Sequence, residues 1–236
     1  MSPLKLGRRA AEPTLTERDQ RVVWRIAALL LDYPAESTLA MLDDLRAAAA
    51  SADPRAGEPL VSFVDHARST APMELAQHYV ETFDLRRRSC LHLTYYAYGD
   101  TRKRGMALLR FKHAYRQAGV ELDDRELPDH LSVVLEFAAT ADPHMGRRLL
   151  VEHRPVIELL RLSLLDSGSP YVALLDAVSA TLPPLNVADR RRIAELAAQG
   201  PPDEDVGLEP YAMDPSLQPD TWSAASEAPV RSGGCS

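Results

Sequence analysis

Gly99-Asp-Thr-Arg-Lys-Arg-Gly105-Met-Ala-Leu108-Leu-Arg-Phe111-Lys-His-Ala-Tyr115-Arg-Gln-Ala118-Gly119 is the stretch from which the fold is read. Leu108, Phe111, Tyr115 and Ala118 recur at intervals of three and four, the period of one face of an α-helix. Asp100 suits the N-cap and Gly119 the C-terminal stop. On the other side Arg102, Arg110, Lys112 and Arg116 surround Met106, Leu109 and His113. That strip is either a partner surface or a second buried side whose arginines reach outward to water. Dual burial is common in helical bundles. From Arg86 to Arg116 nine basic residues (Arg86, Arg87, Arg88, Arg102, Lys103, Arg104, Arg110, Lys112, Arg116) stand against the single acid Asp100, in a chain of net charge −7.

The same period extends outward in both directions. Val23, Ile26, Ala27 and Leu30 follow a Thr16 cap, and Pro34 stops that helix. Leu39, Leu42 and Leu45 give a second helix ending in the Ala47–Ala50 run, and Asp53-Pro54 through Gly57-Glu58 reads as punctuation. Pro59 and Pro72 suit the first turns of a third and a fourth helix, the latter running to about Phe83. C-terminal to the opening segment, Pro128-Asp129 starts a helix carrying Leu131, Val134, Leu135 and Ala138, which Asp142-Pro143 ends. Further helices are expected at about 145–153, 155–166, 170–181 and 187–199. The 155–166 helix is apolar nearly all round and therefore central. With no alternating strand pattern, internal repeat or sustained heptad, the predicted class is all-α, a single-domain helical bundle.

Composition sets the boundaries. From Pro201 onward seven acids stand against Arg231, so the acidity belongs to that tail and residues 1–200 carry only −1. Six of the eighteen prolines lie there too, and such a segment buries too little apolar surface to offset its ordering entropy. The expected organisation is a disordered 1–14, an all-helical domain over 15–200 and a disordered acidic 201–236. Cys90 and Cys235 make no disulfide scaffold, which fits a reducing cytoplasm. Arg8-Arg9 lacks the apolar stretch of an export signal, and no run approaches the roughly 20 residues that span a bilayer. A cytoplasmic protein with no stable membrane insertion is expected.

Catalytic machinery is hard to assemble from these residues. The seven histidines include no i, i+4 pair with a glutamate between, and no Cys-x-x-Cys accompanies them, so no metal site is expected. Asp129, His130 and Ser132, read as helical neighbours, point in different directions and form no nucleophile, base and orienter set. On spacing alone Asp129 is a carboxylate at a helix start. Gly99 and Gly105 lack phosphate-loop spacing. Arg86–Arg88 and Arg102–Arg104, with Tyr95, Tyr96 and Tyr98 between them, have the ingredients of nucleic-acid binding, but the near-neutral body opposes it. Cys90 is read as a small packing residue.

The runs Tyr79-Val-Glu-Thr-Phe83-Asp-Leu-Arg-Arg-Arg88, Leu93-Thr-Tyr-Tyr96, Gly99–Lys112 and Glu126-Leu-Pro-Asp-His-Leu131 with Val134-Leu-Glu-Phe137 together resemble the NarJ family. These are the assembly chaperones of respiratory nitrate reductase, a branch of the TorD-like molybdoenzyme chaperones. The resemblance is strong over about 79–139. It implies an all-helical, non-enzymatic protein without a cofactor of its own. Such a protein binds the catalytic α subunit of nitrate reductase, notably its N-terminal segment, and holds the apoenzyme open for molybdenum cofactor insertion before membrane docking. Proteins that deliver the cofactor are a further class of partner under this reading. Two signatures carry over by residue: the aromatic-x-x-x-Phe element at Tyr79 and Phe83, and the linker at Glu126, Pro128, Asp129 and His130, which the resemblance assigns to partner binding. The larger group often has Leu where Thr82 stands here.

Under that resemblance Tyr79, Phe83 and Tyr95 are the expected anchors of an amphipathic client segment. Glu126 and Asp129 would pair with its basic residues, and His130 would make affinity respond to pH near 6.5. Arg86, Arg87, Arg88, Arg102, Lys103 and Arg104 form the expected basic surface. The alternatives are a chaperone of another molybdoenzyme and, from another class, a helical nucleic-acid-binding regulator.

Overall fold

The computed structural model describes residues 15–99, 102–123 and 126–200; the expected tails, 1–14 and 201–236, and the Asp100 cap lie outside them. The helices among the described residues are α1 (Glu17–Leu30), α2 (Glu36–Leu39), α3 (Leu42–Ala50), α4 (Pro54–Ser69), α5 (Pro72–Tyr79), α6 (Tyr95–Tyr98), α7 (Arg102–Gln117), α8 (Leu131–Thr140), α9 (Pro143–Glu152), α10 (Arg154–Asp166), α11 (Val172–Thr181) and α12 (Val187–Gln199). A π turn over Val80–Asp84 continues α5, and a short 3-10 turn spans Arg87–Ser89. Among the described residues the only β pairing is one isolated bridge, His92 with His130. The all-α class is what the sequence periodicity predicts.

Local chemistry explains the boundaries. Thr16 accepts a hydrogen bond from the Asp19 amide and begins α1 as expected. Asn186 and Asp189 cap α12 reciprocally. Two expectations are corrected. Asp53-Pro54 is a helix start rather than a break, because the Asp53 carboxylate accepts from the Arg55 amide and Pro54 sits in the first turn, which leaves Pro59 inside α4. Pro128-Asp129 does not begin a helix: His130 is the N-cap of α8, and Asp129 is drawn into the interior. Asp142-Pro143 ends α8 and also starts α9, the Asp142 side chain accepting from the Met145 amide.

α1 lies in the middle of the domain, packed against α8 and α11, while α4 packs on α3 and α11, and α10 on α11 and α12. Trp24 of α1 is fully buried and its indole N–H donates to Thr181 Oγ1 of α11 at 2.8 Å. Its removal should cost about 3–5 kcal/mol. Gly146 is where α9 meets α8, since a Cβ there would stand 2.4 Å from Ala138 Cα. α10 is less uniformly buried than its leucines suggest. Leu159, Leu160 and Leu164 face the core, Leu165 is exposed, and the buried Glu158 accepts from Arg161 at 2.7 Å.

α7 settles the question its second strip raised. Phe111 and Tyr115 are buried as expected, but Met106 and Leu109 are 68% and 50% exposed and His113 is exposed too. The strip is open to solvent, not doubly buried.

Candidate functional site: a locked linker beside an acid-rimmed groove

Asp129 is wholly buried, and an enclosed carboxylate is tolerable only with full compensation. It receives the Thr94 hydroxyl at 2.5 Å, the Thr94 amide at 3.1 Å and His92 Nδ1 at 3.2 Å, with the Arg104 guanidinium 3.8 Å away. Burial pushes this carboxyl up, but the bonds from His92 and Thr94 outweigh it and hold it down at about 2. The backbone closes the same contact, Leu93 N–H donating to Asp129 C=O and Leu131 N–H to Leu91 C=O. Tyr115 of α7 donates its hydroxyl to the Pro128 carbonyl at 2.6 Å. The linker of residues 126–130 is therefore clamped between the segment before α6 and the core face of α7.

His130 Nδ1 lies 2.6 Å from Ser132 Oγ. Because His130 is a cap and not a helical residue, its ring can turn back onto Ser132, which helical spacing does not anticipate. Asp129 faces the other way, onto His92, so the three do not form a catalytic relay. Burial drives the His130 imidazole down to about 4, with His92 adding repulsion. The expected pH response near 6.5 is thereby corrected, as a proton on this ring is excluded from the interior until well below that value.

Tyr79 and Phe83 are 6% and 7% exposed. Their rings lie 5.0 Å apart in a cluster with Tyr33, Phe63, His78 and Tyr171. The π turn places Phe83 on the same side as Tyr79, and the Tyr79 hydroxyl donates to the Leu31 carbonyl just beyond α1. In this conformation both side chains are part of the core. Tyr95 is also buried, beneath Arg104, whose guanidinium carbon lies 5.8 Å from the ring centre. Arg104, expected on the basic surface, is turned inward, its side chain only 12% exposed. Arg86, Arg87, Arg88, Arg102 and Lys103 are exposed, as expected.

Beside this clamp a groove of about 430 Å3 opens between α1, α8 and residues Val120, Leu122 and Glu126, within the size range of ligand pockets. Its floor includes Leu29, Val133 and Phe137, with Val120 and Leu122 at the side. Among the described residues, Asp32, Glu126 and Glu136 line it with one cation, Arg25, which is ion-paired to Glu136. Ser132 lines the wall, so the clamped linker forms one margin. Of the predicted site residues, Glu126 alone borders this groove. Pro128, Asp129 and His130 follow it in the clamped linker, and Tyr79 touches the chain just beyond α1, at Leu31, next to the groove residue Asp32.

The family described as nitrate reductase delta subunit matches residues 38–176, more than half of the chain. The chain belongs to that family. It is 43% identical over 160 residues, 68% of its length, to the nitrate reductase-like protein NarX of Mycobacterium tuberculosis, of which it spans only 24%. The probable nitrate reductase molybdenum cofactor assembly chaperone NarJ of Bacillus subtilis is 33% identical over 172 residues, covering 72% of this chain and 94% of that protein. The Escherichia coli NarJ chaperone is 33% identical over 144 residues, 61% of this chain and 58% of that protein. The family match encloses both signatures, Tyr79–Phe83 and Glu126–His130, and the whole linker clamp. No described helix is long and apolar enough to cross a membrane.

Sequence reasoning missed Thr94 and His92, the groups that fix Asp129. The signal was there: an acid buried after a proline needs donors, and Leu93-Thr94 belongs to the other quoted run.

Proposed function

We propose that this protein is a cytoplasmic, non-enzymatic assembly chaperone for a nitrate reductase. In this reading it binds the catalytic α subunit through its N-terminal segment and keeps the apoenzyme competent for molybdenum cofactor insertion before membrane docking. The observation that carries it is the apolar groove with an acidic edge, bordered by Glu126 of the linker, in a chain whose relatives include assembly chaperones. A client helix lays its apolar residues on Leu29, Val133 and Phe137, and its basic residues meet Glu126 and Asp32. Pro128, Asp129 and His130 hold Glu126 in register. Tyr79 and Phe83 brace the α1 end of the groove, and Tyr95 supports the clamp from below. Proteins that deliver the cofactor remain a further partner class in this reading.

Calorimetric titration with the N-terminal peptide of the α subunit from the same cell tests the proposal. One peptide per chain should bind, with modest salt dependence, and Val133→Asp should weaken binding about tenfold, the loss of one buried anchor. No binding to this peptide, with binding to that of another molybdoenzyme, transfers the client assignment. A steep loss with salt would favour phosphate-type contacts and the nucleic-acid alternative.

A further inference from the structure

α7 has a seam that the groove does not use. Arg102, Met106, Leu109, His113 and Arg116 follow one another at alternating steps of four and three, the spacing of the contact positions of a two-helix coil. Lys103, Arg110 and Lys112 occupy positions beside the seam, where a partner helix places its charges. The helix carries six lysines and arginines and no acid. Arg110 is paired with Glu152 at 2.6 Å, which fixes that edge of the seam toward α9. Met106 and Leu109 are mostly exposed, and a Cβ added at Gly105 would meet open space.

We propose that the outer seam of α7 is a second docking surface, and that its occupant is an acidic amphipathic helix of a partner protein. Such a helix carries leucine or similar residues toward Met106 and Leu109 and glutamates or aspartates toward Lys103, Arg110 and Lys112. The charge decides the class of occupant. A second copy of this chain would bring cations against cations along the full seam. An anionic bilayer meets the charge but wants a broad apolar face, and this strip is one residue wide per turn. The seam also differs in sign from the acid-rimmed groove, so one segment does not suit both, and this proposal stands without the client assignment.

The probe is a synthetic 21-residue helix with Leu at the two contact positions of each heptad and Glu at the flanking ones, titrated into the full chain and followed by calorimetry. The glutamates keep the probe from pairing with itself. Saturable binding is expected, weakened at least about tenfold by Met106→Glu with Leu109→Glu, two exposed positions whose change leaves the circular dichroism and melting of the chain unaltered. A scrambled peptide of identical charge should bind at least about tenfold more weakly. Equal binding of the scrambled peptide overturns the proposal, as does binding indifferent to the double variant. Anionic phosphatidylserine vesicles captured in place of the peptide, with the same loss on the double variant, would make a lipid surface the occupant. A dimer in sedimentation that the double variant dissociates would make it a second copy. Either result overturns the partner-helix assignment.

Discussion

The two ends of α7's influence are built in opposite ways. On its inner face Tyr115 helps to clamp the 126–130 linker, where an acid is enclosed and every oxygen of Asp129 has a partner. On its outer face apolar side chains stand in water among cations. The first arrangement stabilises the fold and fixes the margin of a groove, because a buried charge with complete hydrogen bonding tolerates only one geometry. The second contributes little to stability, and that freedom is what an interaction surface requires. The difference separates residues that hold a site in place from residues that a partner meets.

The largest break in that contrast comes from Asp129→Ala. It leaves Arg104 and His92 without their anion in the interior, and about 3–5 kcal/mol of unfolding free energy should be lost in urea titration. A loss under 1 kcal/mol would mean that the clamp is not what positions the linker. On α7 itself, Phe111→Ala should cost about 3–5 kcal/mol, whereas Leu109→Ser should stay within about 0.5 kcal/mol of the parent. Equal effects would erase the distinction between the two faces.

The pH response sharpens the comparison. The folded His130 has its pKa depressed to about 4 by burial, so the unfolded chain binds the extra proton first. Stability is then complete above about pH 6.5 and declines as pH falls toward 4, by about 3 kcal/mol if this ring acts alone. His78 and His153, also depressed by burial, act in the same direction. Asp129, held at about 2, adds a further loss between about pH 4 and 2. Urea midpoints measured across pH 4–7 should fall steadily in the parent and less steeply in His130→Asn. The smallest expected effect is on client affinity: Glu126→Gln should weaken the α-subunit peptide about threefold, in keeping with one rim charge, and leave the melting temperature unchanged.

Much of the fold was legible because helical spacing and caps are local. Thr16, Gly119 and the 187–199 helix could be read directly. The Asp53-Pro54 start is ambiguous in sequence because the same dipeptide marks turns and first turns alike, and the packing of α4 against α3 selects one. The site was less legible. Glu126–His130 could be recognised, but not that Asp129 turns inward, since its partners Thr94 and His92 lie about 35 residues earlier and nothing local pairs them. Tyr79 and Phe83 stand out as anchors, whereas whether an aromatic pair faces a client or the core depends on Tyr33, just after α1, and Tyr171, at the start of α11, both far away in sequence. The groove floor, Leu29 and Val133, carried no signal beyond ordinary amphipathic spacing.

The most direct test is to map where the α-subunit N-terminal peptide lands, by amide chemical-shift changes on the full chain. If the groove is the client site, changes concentrate at Leu29, Val120, Glu126 and Val133, with Met106 and Leu109 unmoved. Changes centred on Met106 and Leu109, with the groove silent, would contradict it.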